Sequence, residues 1–96
     1  MEALDRVKKL ARDLRTTEPR SANEELGGES CAARTLDKCR ATLAGINGDY
    51  QFGCPLDQHF FHETGIDQEE FRNFVATGAT DEVVGEWIAQ HSHTRK

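Results

Sequence analysis

The chain has 96 residues, 36% of them hydrophobic and 30% charged, with 12 Lys and Arg against 17 Asp and Glu for a formal net charge of −5. That length holds one domain with one modest core. No apolar run approaches the ~20 residues of a membrane span, and the acidic balance argues against a nucleic-acid binder that works by neutralising phosphates.

Leu4, Val7, Leu10, Ala11 and Leu14 recur at the helical period, which predicts an amphipathic first helix that stops before Pro19. Ser21-Ala22-Asn23-Glu24 matches a capping box and Gly27 suits a left-handed stop, so a short helix of about one turn is expected between them. Ala32, Leu36, Cys39, Leu43 and Ile46 form one stripe on a core helix closed by Gly45 and Gly48. The stretch from Ile46 to Cys54 has no partner strand and reads as a loop anchored by buried aromatics, Tyr50 and Phe52.

Pro55 fits the first position of the next helix, with Cys54 in the N-cap place and Leu56, Phe60 and Phe61 on the buried face. Gly65 closes it. Asp67 then caps a helix with Glu70 three residues on, Ile66 and Phe71 form a candidate hydrophobic staple, and Phe71, Phe74 and Val75 face inward. After Gly78, Thr80-Asp81-Glu82 opens the last helix with acids at its positive end, and Val83, Val84, Trp87 and Ile88 are its expected inner face. From about residue 90 the tail is polar and expected to fray, leaving His91 and His93 solvated. The expected fold is all-α, a compact single domain over residues 1–96 built as a bundle of five or six short helices.

Compartment follows from two observations. Met1-Glu2-Ala3-Leu4-Asp5-Arg6 lacks the basic and apolar regions of a secretory signal. Three cysteines cannot all pair within one chain, and Cys31 and Cys39 on a single helix would be separated by ~12 Å of rise. A reducing cytoplasm is the expected setting.

Three sets of residues carry possible chemistry. Cys54 at a helix N-terminus sees the positive end of the dipole, which favours a thiolate, while Asp57 on the same turn opposes it. His59 and His62, with Glu63, have the spacing of a helical metal site but need a further ligand, and paired exposed histidines are the commoner reading. Arg34, Lys38 and Arg40, with Arg15 and Arg20 upstream, can converge on a phosphate or carboxylate, or can pair internally with Asp37 and Asp57. No glycine-rich phosphate loop, nucleophile elbow or paired-carboxylate signature is present, and no cofactor is expected.

A set of short motifs adds a resemblance. Asp13-Leu14-Arg15, Pro19-Arg20-Ser21, Leu26-Gly27-Gly28, Ala33-Arg34-Thr35-Leu36-Asp37-Lys38, Ala44-Gly45, Cys54-Pro55-Leu56-Asp57-Gln58 and Thr64-Gly65-Ile66-Asp67 together resemble domain of unknown function 5069, a bacterial family of small helical proteins. The resemblance implies a compact cytoplasmic domain and carries over no catalytic residue. Arg15, Arg20, Arg34, Asp37, Cys54 and Asp57 would then form either a shared polar site or an ion-pair network that fixes how the first, third and fourth helices meet.

The leading expectation is a non-enzymatic binding or protein-interaction module. Its partner is an unidentified protein or a small anionic ligand, held by residues drawn from Arg15, Arg20, Arg34, Lys38, Tyr50 and Asp57, with neither nucleic acid nor membrane involved and a homodimer possible. The rival expectation is a small thiol- or metal-dependent enzyme centred on Cys54, His59 and His62.

Overall fold

The structure is a computed structural model that describes residues 2–92. Among those residues five helices make up the fold: α1 (Glu2–Leu10), α2 (Ala32–Ala44), α3 (Pro55–Thr64), α4 (Gln68–Val75) and α5 (Asp81–His91). The only β feature among them is an isolated bridge between Leu26 and Glu29, so the all-α reading holds.

The starts and stops follow local chemistry. Pro55 occupies the first turn of α3, where a missing amide costs nothing. The Asp67 carboxylate accepts from the Glu70 amide at 3.0 Å to cap α4, and the Thr80 hydroxyl accepts from the Val83 amide at 3.4 Å to cap α5. Gly45 and Gly65 end α2 and α3 in the left-handed conformation.

Helix α2 is the axis of the domain. Nine of its 13 residues are buried, which requires neighbours on several sides, and α1, α3 and α4 all pack against it. Its Ala32, Leu36 and Cys39 meet Phe60, Phe61, Ile66, Phe71, Val75, Val84 and Ile88 in one apolar core. Phe71 lies within 5.5–6.2 Å, centroid to centroid, of Phe52, Phe60, Phe61 and Trp87. Each fully buried side chain of this kind stabilises the fold by roughly 1.5–3 kcal/mol.

Several expectations need correction. Helix α1 ends at Leu10 and does not run on to Leu14. The chain leaves the helix, and the Leu14 amide donates to the Ile46 carbonyl at 3.0 Å, which brings buried Leu14 against the end of α2. Gly48 permits this approach: a Cβ there would lie 2.6 Å from the Leu14 carbonyl oxygen. The helix expected after Ser21 does not form. The Ser21 hydroxyl instead accepts from the Asn23 amide at 3.1 Å in a local turn, because Leu26 as the one large apolar residue gives one turn of helix little face to bury. Gly27 then passes so close to α5 that a Cβ would lie 2.4 Å from the Gly85 carbonyl oxygen.

In each of two helices one residue expected on the inner face is exposed, while the rest of that face packs on the core. Val83 is 45% exposed, and Val84, Gly85 and Ile88 form the buried face of α5. Leu56 is 37% exposed while Asp57 is fully buried beside Phe60, Phe61 and Thr64. The C-terminal helix includes Gln90 and His91, where a frayed tail was expected. His91 is exposed, yet its ring stacks on Trp87 at 4.2 Å. His93 lies outside the described residues.

Candidate functional site

The fully buried Asp57 explains how the site is built. A carboxylate inside a protein must be neutralised and hydrogen-bonded. Lys38 Nζ lies 3.1 Å from Asp57 Oδ1, the Thr35 hydroxyl donates to the same oxygen at 2.9 Å, and the Gly53 amide donates to Oδ2 at 2.8 Å. These contacts tie α2, the loop before α3 and the first turn of α3 together.

The same lysine reaches one group further. Lys38, whose side chain is only 3% exposed, places its Nζ 2.8 Å from Cys54 Sγ. Partial burial works against the Cys54 thiolate. The Lys38 contact and the Asp57 and Leu56 amides outweigh both that burial and the opposing Asp57 charge, holding the thiol below its ordinary value. Cys39 behaves in the opposite way: full burial in the core pushes it up to about 12. All three cysteines are free thiols.

Cys54 opens onto a cleft of about 490 Å³ whose walls include Arg34, Lys38, Asp49, Tyr50 and Leu56. Arg34 and Lys38 are four residues apart on α2 and so share a face. The 45–54 loop closes the other side, pinned by the Asn47 side-chain amide donating to the Tyr50 carbonyl at 2.7 Å. The Arg34 guanidinium sits 5.8 Å above the Tyr50 ring. Its Nη1 donates to the Arg20 carbonyl at 3.3 Å, its Nε is buried with no partner, and it forms no ion pair with a carboxylate among the described residues.

The remaining arginines are engaged elsewhere. Arg20 grips Asp37 through two parallel bonds of 2.9 and 3.0 Å and Asp81 through a third of 2.8 Å. Arg40 Nη1 donates to the other Asp81 oxygen at 2.7 Å and its Nη2 to the Ala79 carbonyl at 2.9 Å. Burial disfavours the charge on Arg20, but its bonds to Asp37 and Asp81 more than offset this and raise its pKa. Arg15 pairs with Asp13 on an exposed turn at 3.0 Å. Of the residues anticipated for anion binding, Arg34, Lys38 and Tyr50 therefore meet around the cleft with Cys54. Asp57 lies beneath them, Arg20 is in the ion-pair lattice, and Arg15 is on its own turn.

The anticipated metal set is not assembled. His59 lines a different hollow of about 200 Å³ with Cys31 and Glu63, and His62 is exposed. Among the described residues no three His, Cys, Asp or Glu form a group able to hold a metal ion. Cys31 was overlooked as a distinctive position: it stands at the start of α2 with φ 69°, the one left-handed non-glycine residue among those described. The Lys38–Cys54 contact was also missed. It joins residues 16 apart across a loop, and no spacing rule in the sequence signals it.

A family model described as Domain of unknown function (DUF5069) matches residues 16–96. No curated protein matches the chain.

Proposed function

The chain belongs to the DUF5069 family, and from that premise we propose that it is a small binding module of the bacterial cytoplasm that takes an anionic ligand in the Arg34–Tyr50 cleft. The observation that carries this reading is the state of Arg34. Arg20 and Arg40 face carboxylates of their own chain, while Arg34, a residue of the cleft wall, forms no ion pair among the described residues and has a buried Nε without a partner. A carboxylate or phosphate oxygen is the ligand that pairs with a guanidinium left without one. Tyr50 holds the guanidinium plane in place, reducing the ordering required on binding. Free cysteines agree with a reducing compartment, and no helix of the described residues is long and apolar enough to cross a membrane.

The test is an NMR titration of isotopically labelled protein with inorganic phosphate and, separately, citrate, following the Arg34 Nε–H resonance. Saturable shifts at Arg34 and the 49–54 loop, abolished in Arg34→Gln, are the expected result. Shifts that map to Arg20 and Arg40, or none at all, reject the reading.

A second reading, a thiol-dependent enzyme on Cys54, draws on the Lys38 contact at 2.8 Å. Its metal-dependent form has no ligand group among the described residues.

A further inference from the structure

We infer that Cys54 is a modification site for small disulfides that carry carboxylates, forming a mixed disulfide inside the cleft. The inference rests on the anion-cleft reading and names the ligand class of that site.

The thiol does not stand alone. Lys38 is buried and fixed between Asp57 and Cys54, so a positive charge is held against the sulfur at 2.8 Å without the entropy loss of ordering an exposed lysine. Asp57, already saturated by Lys38, Thr35 and Gly53, holds that lysine in place. Cys54 is half-buried and lines the cleft, so the sulfur is reachable, in contrast to Cys39 in the core. The second, independent observation is Arg34, which lines the same cleft, forms no ion pair among the described residues and has a buried Nε without a hydrogen-bond partner. Lys38 supports the sulfur, and Arg34 is left to receive a charged group carried by the incoming molecule. A cleft of about 490 Å³ lies within the range that admits small organic ligands.

The chemistry is thiol–disulfide exchange. The Cys54 thiolate attacks one sulfur of R–S–S–R; a Cys54–S–S–R bond forms as the original S–S bond breaks, and the electron pair leaves on RS⁻, which takes a proton from solvent. Cys54 is oxidised and the departing thiol is reduced, so the disulfide itself supplies the oxidising equivalents. Exchange with a second thiol reverses the step.

The experiment uses the full chain and two disulfides, oxidised glutathione as the anionic probe and hydroxyethyl disulfide as the neutral one, with adducts mapped by peptide mass spectrometry. The expected result is an adduct at Cys54 with both reagents, absent in Cys54→Ser. Arg34→Gln is expected to slow oxidised glutathione about tenfold, the scale of one lost charge-assisted contact, and to leave hydroxyethyl disulfide unchanged. An unreactive Cys54 overturns the inference, and so does an equal effect of Arg34→Gln on the two reagents. The phosphate and citrate titrations separate the two proposals: anion binding at Arg34 with an inert Cys54 defeats the modification site and leaves the anion cleft standing.

Discussion

Two polar clusters share helix α2 and differ in whether their charges are compensated. In the first, Arg20, Asp37, Arg40 and Asp81 bind one another so that each guanidinium has a carboxylate within 2.9 Å. In the second, Asp57 and Lys38 form a buried pair, but Arg34 has no carboxylate among the described residues and Cys54 faces a cleft. The same residue types do different work according to how many acids the fold delivers to them. A closed cluster fixes how elements meet, and an open one keeps capacity for a molecule from outside.

The largest effects come from removing the carboxylates that close each buried pair. Asp57→Ala strands the buried Lys38, whereas Asp37→Ala takes the two Asp37 side-chain bonds from Arg20 and leaves it Asp81. In urea unfolding the first is expected to cost about 3–5 kcal/mol and the second less than that. A loss under about 1 kcal/mol for Asp37→Ala would mean that the lattice is not what holds Arg20 in place.

A smaller effect is expected from acid. Burial works against the Asp81 carboxylate, but hydrogen bonds from Arg20 and Arg40 outweigh it and lower its pKa from 3.8. A carboxylate lowered on folding stabilises fully above its unfolded value, and that contribution is lost as the pH falls through the folded value. The urea midpoint should therefore drop below pH 3.8, and Asp81→Asn should lower the midpoint at neutral pH while flattening this part of the acid limb. An unchanged limb in the variant would assign it to other carboxylates.

The smallest effect is expected at Arg34. Arg34→Gln gives up one 3.3 Å bond and a ring contact and removes a buried orphan donor, so its cost should stay below about 1 kcal/mol. Destabilisation as large as that of Asp37→Ala, measured by the same urea titration, would place Arg34 among the structural charges.

Much of the fold was legible in the chain. The stripe Ala32, Leu36, Cys39 found the central helix, and Pro55, Asp67 and Thr80 marked three helix starts, because capping and periodicity act over a few neighbouring residues. The candidate site was legible in part. Arg34 and Lys38 share a helical face by spacing alone, and Tyr50 could be named as an anchor of the loop that follows α2. Which arginine remained uncompensated could not be read from the chain, since Asp37 and Asp81 are 44 positions apart and meet Arg20 only in the folded structure.

Local backbone and side-chain preferences account for the all-α class, the helix starts marked by Pro55, Asp67 and Thr80 and the stops at Gly45 and Gly65. Tertiary structure decided that Asp57 rather than Leu56 turns inward, that α1 yields before Leu14, and that Lys38 meets Cys54. Each outcome depends on a partner distant in sequence, supplied respectively by Lys38, by the Ile46 carbonyl and by the loop ahead of α3. A buried charge is stable only where such a partner arrives.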